Sequence, residues 1–558
     1  MLRNASFRPL TLGAAVRRPA CPAARRLVQT QSSVSVNSSY NPWSERFRGS
    51  NGTRTFLQAI TYAVIISGSA AFVQEKLLGK DEEGTFQPAD QRAIASAIEE
   101  LKRAFPDPKS IATDAESLKT YGSSEHSYHP ASPHAVVVRP HTTEDVVKIV
   151  NVARKYNVPL VPYSGATSLE GHFAGIPGGD ICIDMSGMDR IININVNDGD
   201  LTCQSGARWE DINQTLKAKG IPLFFPLDPG PGATIGGMIG TGCSGTNAVR
   251  YGTARSEWFI SITAVLPDGS VVKTRSRARK SSAGFDTTKL FIGAEGTLGI
   301  VTEAPVVPTK VAMAQFPSVQ HAVSAVQDIL TSPYGSHLQC IELLDDNMMH
   351  AINDAGFVDH PYPVSDTLFF KIQGDTTMVK ETAKTVKDLS KKHGSTSFAF
   401  AASDAEADEM WTNRKYALMS TVAANPGYKC WTTDVCVPVS RLPELVQETK
   451  KDLAEHKLRS TIVGHVGDGN FHALILFKDD DELKKVEDAV HRLVHRALAL
   501  EGTCTGEHGV GVGKKIYLND ELGESTVALL RKIKKTIDPQ NILNPGKLYP
   551  DEKDKKER

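Results

Sequence analysis

The chain has 558 residues, with 63 lysines and arginines against 64 aspartates and glutamates. That length exceeds what one hydrophobic core fills, so about two to four units are expected at roughly 150 residues each. Balanced charge without a basic stripe of interleaved aromatics excludes an electrostatic footprint for nucleic acid. Eight cysteines with no C-x-x-C pair exclude a disulfide framework or a zinc ribbon.

Residues 1–44 carry six arginines (Arg3, Arg8, Arg17, Arg18, Arg25, Arg26) and no acid before Glu45. Over 1–45 this composition predicts a mitochondrial presequence, with a disordered basic tail as the alternative. Phe56–Val73 is an uncharged run of 18 residues. Its helix would be about 27 Å long at about 1.5 Å per residue, just enough to span a bilayer core. Gln58 and Thr61 within it leave a buried amphipathic helix as the other reading. Arg46, Arg48 and Arg54 precede the run and Asp81, Glu82 and Glu83 follow it. The positive-inside rule then leaves the N-terminal side in the matrix and the body facing the intermembrane space.

Beyond residue 85 the patterns are those of a soluble body. Asp90–Phe105 is amphipathic, Ala135–Pro140 reads as a buried strand, and Thr143–Tyr156 reads as the following helix with Thr143 as its N-cap. A glycine-rich loop follows, in which Pro162, Ser164, Gly165, Ala166, Thr167, Ser168 and Gly171 offer backbone amides and hydroxyls with little bulk. That is how a chain approaches a pyrophosphate closely. A second such loop contains Pro229, Gly230, Ala233, Thr234, Gly236, Gly237, Gly240, Thr241, Ser244 and Gly245, and a third contains Glu295, Gly296, Gly299, Ile300 and Val301. Any one of them alone could be a tight turn between strands. Together they indicate a dinucleotide. The literal G-x-G-x-x-G at Gly240, Gly242 and Gly245 is not a Rossmann fingerprint, because Thr246–Gly252 has no helical apolar stripe.

Near the C-terminus, Gly464–His472 reads as a hairpin with His465 and His472 at its two ends. Glu507, in Gly506–Gly511, would complete a His-His-carboxylate metal set with an open position, and His508 would be left to move protons. The plain alternative is that these histidines only satisfy hydrogen bonds in turns, and Asn470 could be turn chemistry alone.

The three loops, the closing Asn544–Lys547 and the paired metal motifs resemble the D-2-hydroxyacid dehydrogenases of the vanillyl-alcohol oxidase superfamily, over roughly residues 135–547. The resemblance implies an α+β fold, with a two-subdomain PCMH-type FAD-binding domain at 85–310 and an α/β cap, or substrate, domain at 311–534. The cap elements are read as 320–330, 367–373, 380–393 and 442–456. Residues 535–550 would return to the FAD domain before a charged tail at 551–558, and a presequence and one hydrophobic helix precede the whole.

Asn544 joins the FAD residues by the same resemblance. Covalent members attach FAD through a histidine after a loop glycine, and here Gly165 precedes Ala166 and Thr167, so FAD is expected to be non-covalent; His172 is the one other candidate for a linkage. The resemblance further implies that His465, His472 and Glu507 hold Zn²⁺ or Mn²⁺, that His508 is the base, and that Arg414 grips the substrate carboxylate. Relatives acting on D-2-hydroxyglutarate carry lysine and asparagine where this chain has Thr432 and Leu474. A short acid such as D-lactate is therefore expected, with cytochrome c as electron acceptor at the inner mitochondrial membrane. The alternatives are D-2-hydroxyglutarate or another D-2-hydroxyacid as substrate, a metal-dependent hydrolase, and a membrane-tethered binding or scaffold protein.

Overall fold

The computed structural model describes residues 90–551 apart from 125, 279–280, 307–318, 357–360, 373–375, 400 and 402–403. The segments read as presequence (1–45) and apolar helix (56–73) lie outside the described residues, as do 552–558 of the tail. Among the described residues no helix is long and apolar enough to cross a membrane.

Three sheets organise the body. The first has β1 (Ile111–Ala112), β2 (Val136–Val138), β3 (Leu160–Tyr163) and β4 (Ile181–Asp184) in the order β1-β2-β4-β3, with β2, β4 and β3 parallel. Val136, Val137 and Val138 are all fully buried, the unbroken apolar run expected of a parallel strand covered on both faces. The helix Thr143–Tyr156 buries Val146, Ile149, Val150 and Ala153 as one stripe against this sheet. Its cap is Thr142, whose hydroxyl accepts the Asp145 N–H at 3.1 Å. The expected cap at Thr143 is thus corrected by one residue: the hydroxyl that reaches the free amides of the first turn belongs to the extended residue before the helix.

The second sheet is antiparallel, with β5 (Ile191–Asn195), β6 (Asp200–Gln204), β7 (Thr263–Val265), β8 (Val271–Lys273) and β9 (Ile300–Val306) in the order β5-β6-β9-β7-β8. It packs with the short helix Ile235–Thr241. The G-x-G-x-x-G begins inside that helix and is followed by the single turn Ala248–Tyr251. No strand leads into it and no long helix leaves it, so the dinucleotide fingerprint geometry is absent.

The third sheet has β10 (Leu338–Leu344), β11 (Thr367–Ile372), β12 (Lys429–Thr432), β13 (Val435–Cys436), β14 (Ser460–Gly464) and β15 (Asn470–Phe477). The order is β11-β10-β14-β15-β12, and β13 also pairs with β15. The helices Val319–Thr331, Thr376–Lys392 and Leu442–Glu455 match the expected elements within a few residues. Towards the C-terminus, Leu160 donates to the Ile542 carbonyl at 2.7 Å and accepts from Asn544 at 2.8 Å, so residues 542–544 run alongside β3.

The β14–β15 turn that carries the paired histidines depends on Gly469, where φ is +88° and an added Cβ would lie 2.0 Å from the Val437 carbonyl oxygen. Gly220 also has positive φ (+66°) but nothing within 4 Å. Gly469→Ala should therefore lower the thermal midpoint well beyond the effect of Gly220→Ala, whose cost is the conformational one of roughly 1 kcal/mol. Equal shifts in thermal unfolding would contradict the collision.

Candidate active site

Hairpin register sets the first two side chains. Val463 pairs with His472 across β14–β15, and His465 follows directly after β14. Glu507 reaches between the two rings, its Oε1 lying 2.9 Å from His465 Nε2 and 3.2 Å from His472 Nε2. The candidate ligand atoms of all three residues lie within 4.8 Å of one another.

The far sides of both rings are engaged. His465 Nδ1 lies 2.9 Å from Glu342 Oε1, and His472 Nδ1 lies 2.9 Å from the Thr433 carbonyl. Acceptors at Nδ1 fix the tautomer in which Nε2 carries the lone pair, the arrangement of metal-binding histidines. Ser244 donates to the second Glu507 oxygen at 2.8 Å. Burial opposes charge on both partners, but Glu342 and Glu507 outweigh it and raise His465 well above its usual range, while His465 and His472 hold Glu507 well below the usual carboxylate range. The donor set suits a divalent cation, which would displace the protons shared between these groups.

His508 stacks on His472 with centroids 4.8 Å apart and planes 10° from parallel. Its loop is templated by Asp434, a fully buried carboxylate whose Oδ2 accepts the Glu507 and His508 amides at 3.0 and 2.8 Å. Asn470 Nδ2 donates to Asp434 Oδ1 at 3.0 Å, so Asn470 ties the hairpin to this loop and is more than turn chemistry. Lys514 bridges Asp434 (3.2 Å) and the buried Glu170 (3.1 Å). Asp434, His472 and His508 also converge, but Asp434 is already saturated with donors and serves the loop better than an ion. His508 Nδ1 is buried without a hydrogen bond, 4.0 Å from Asp434 Oδ2. Burial pulls the imidazole down to about 4 against the opposing charge of Asp434.

Arg414 lies on the helix Asp404–Lys415 and is buried. Its Nε donates to Glu342 Oε2 at 2.9 Å, with Nη2 on the same oxygen. Glu342 thus joins Arg414 to His465. Thr432 and Leu474 are cross-strand partners in β12 and β15, and both are buried.

One cavity of roughly 590 Å³ is lined by Arg414, Thr432, Leu474, His465, His472, Glu507 and His508 together with all three glycine loops and Asn544. Of the expected FAD residues, Gly171 and Ser244 are not on its wall. Gly171 packs beneath Val512, and Ser244 is spent on Glu507. The first two loops abut, with Thr234 donating to Ser164 at 2.9 Å and Gly165 so close to the Gly232 carbonyl that a Cβ would come within 2.7 Å of it. Gly230 has nothing within 4 Å of a notional Cβ, and Gly240 only Glu295 Cα at 3.9 Å. Such an open face lets a ligand approach the backbone, as a flavin nucleotide requires.

Ala166, Glu295 and Asn544 hold left-handed φ of 57°, 53° and 45° on the same wall, a conformation non-glycine residues keep only where their surroundings impose it. Glu295 accepts the Val510 and Gly511 amides at 2.6 and 2.9 Å, fastening the third loop to the His508 segment. His172 lines the cavity with Nε2 3.2 Å from Glu295.

Sequence reasoning missed Glu342, Lys514 and the structural role of Glu170 and Asp434. The available signal was a lone carboxylate in an apolar strand, Cys340-Ile341-Glu342-Leu343-Leu344, since a buried charge must be paired.

Residues 133–275 match the FAD binding domain family, and 308–548 match the family of FAD linked oxidases, C-terminal domain. The chain is 45% identical over 478 residues to the mitochondrial D-lactate dehydrogenase [cytochrome] 1 of Saccharomyces cerevisiae, covering 82% of this chain and 81% of that protein. It is 42% identical to the mitochondrial D-lactate dehydrogenase [cytochrome] of Arabidopsis thaliana, covering 85% and 83%. The structure of p-cresol methylhydroxylase with substrate bound superposes with a TM-score of 0.66 at 16% identity, covering 82% and 97%, which establishes the PCMH-type fold alone. A flavin-free hydrolase finds no support in these matches. The chain belongs to the family of FAD-linked oxidases that contains the mitochondrial D-lactate dehydrogenases [cytochrome].

Proposed function

We propose that the chain oxidises D-lactate to pyruvate and passes the electrons to a cytochrome, as the names of its relatives suggest, with cytochrome c as the acceptor the family resemblance implies. The observation that carries this reading is the single cavity whose walls hold both the glycine loops and the His465–His472–Glu507 set. FAD, held non-covalently by those loops, would supply a two-electron acceptor, and Zn²⁺ or Mn²⁺ on His465, His472 and Glu507 would supply a Lewis acid that lowers the pKa of the substrate hydroxyl.

The chain's own residues do the rest. Arg414 grips the carboxylate, where a planar fork of donors matches two oxygens better than a point charge does. His508 takes the hydroxyl proton, and Asp434 stabilises the resulting imidazolium from 4.0 Å. The C2 hydrogen leaves as hydride, so the substrate loses one proton and two electrons with that hydrogen and becomes the keto acid. Burial of the site excludes water and strengthens each of these interactions. The arginine-rich, acid-free composition of 1–44 and the apolar run at 56–73 support delivery to mitochondria and a place at the inner membrane with the body in the intermembrane space. Resistance of the body to protease in mitochondria with ruptured outer membranes would overturn that orientation.

Thr432 and Leu474 set the choice of acid. Neither offers a positive charge to a second carboxylate, and burying one without a counter-charge costs several kcal/mol. D-Lactate should therefore bleach the visible flavin absorption at concentrations where D-2-hydroxyglutarate does not, and Thr432→Lys with Leu474→Asn should move the preference toward the dicarboxylate. Faster turnover of D-2-hydroxyglutarate by the unaltered protein would refute this reading.

The low His508 pKa has its own consequence. A depressed imidazole stays neutral, and so remains a competent base, as pH falls through the range where an ordinary histidine becomes protonated. The acid limb of kcat/KM should lie well below 6.5, toward about 4. His508→Ala should remove the limb and lower kcat by about 10² to 10⁴. An acid limb at or above 6.5 would contradict the assignment.

A further inference from the structure

Strand β10 is buried along its whole length, and among Leu338–Leu344 it carries one carboxylate, Glu342, whose exposure is 0%. A charge in such a strand lowers stability unless it is fully partnered, and Glu342 has two partners. Oε1 faces His465 Nδ1 at 2.9 Å, and Oε2 accepts from Arg414, its Nε at 2.9 Å. Among the described residues no other carboxylate is hydrogen-bonded to His465 Nδ1 or to Arg414 Nε.

We infer that Glu342 is a positioning residue that sets the metal ligand His465 and the carboxylate-binding Arg414 in one geometry, so that the two ends of a 2-hydroxyacid are recognised by a single rigid unit. The inference rests on the roles given to His465 and Arg414 in the proposed function. Three features carry it. The carboxylate at Nδ1 holds the His465 tautomer that leaves Nε2 free for an ion. Only Nε and Nη2 of Arg414 are engaged with Glu342, which leaves part of its five-donor fork for a substrate carboxylate while fixing its plane. The negative charge of Glu342 also offsets Arg414, so a buried cation beside a divalent metal is not left uncompensated. A 2-hydroxyacid carries its carboxylate on the carbon next to the hydroxyl, and Glu342 lies between the groups that would hold the two.

The test uses the FAD-loaded, metal-stripped protein. Mn²⁺ binding is measured alone by calorimetry, and steady-state kinetics with D-lactate are measured at saturating Mn²⁺. Glu342→Gln keeps the shape but offers one acceptor oxygen to two donors. It should weaken Mn²⁺ binding about 10- to 100-fold, the usual effect of losing the partner behind a metal-bound histidine. It should also raise KM for D-lactate with Mn²⁺ saturating. Glu342→Asp keeps the charge with shorter reach and should fall between the variant and the unaltered protein on both measures; if Glu342→Gln does not retain flavin, Glu342→Asp carries the test. Mn²⁺ affinity and KM equal to those of the unaltered protein in a flavin-retaining variant would overturn the inference. His472→Ala separates the two claims, since Glu342 does not touch His472. If it too binds Mn²⁺ normally, the metal reading itself falls; if it loses Mn²⁺ while the Glu342 variants do not, only the positioning role falls.

Discussion

A buried carboxylate that must be saturated organises this molecule. Asp434 is removed from water, and an unpaired charge there would cost far more than the fold has to spare. It is satisfied by the amides of Glu507 and His508, the side-chain amide of Asn470 and the Lys514 ammonium. Those donors come from the β14–β15 hairpin and from the loop that follows the helix Asp480–Ala499. Satisfying one charge therefore brings together the two segments whose histidines and carboxylate form the candidate metal set. The lysine brings Glu170 with it, and Glu170 belongs to the first glycine loop.

The same logic joins the two halves of the cavity. Glu295 on the third glycine loop accepts the amides just after His508, and Ser244 on the second loop donates to Glu507. The glycine-loop side and the side of His465, His472 and Glu507 are thus cross-linked by polar contacts between buried or part-buried groups, which are demanding in geometry and poorly replaced by generic packing. A hydride can pass only between atoms held in near contact. A site assembled from segments as distant in sequence as 162–171 and 506–511 needs such links to keep its two sides in register.

The sequence was most legible where chemistry leaves a local trace. The hairpin at 460–477, the helices at 143–156 and 442–455 and the glycine loops each announce themselves through periodicity or turn residues over a short window. The convergence of His465, His472 and Glu507 was readable because their motifs are local, with His465 and His472 on one hairpin and Glu507 beside His508. What could not be read was the set of partners. Glu342, Lys514 and Glu170 matter because of what lies opposite them in space, at separations of tens to hundreds of residues, and no window of sequence carries that information. The helix cap fell one residue from its expected place for a smaller reason: adjacent Thr142 and Thr143 offer the same hydroxyl, and only backbone conformation separates them.

In the proposed function the glycine loops and the His465–His472–Glu507 set form one site around one ion. Anomalous scattering at the manganese edge from crystals of the FAD-loaded protein grown with Mn²⁺ tests it most directly. A strong peak is expected about 2 Å from Nε2 of His465 and of His472, within bonding distance of Glu507 and facing the isoalloxazine ring. A protein that binds flavin and Mn²⁺ but shows its peak elsewhere, or none between these three side chains, would contradict it.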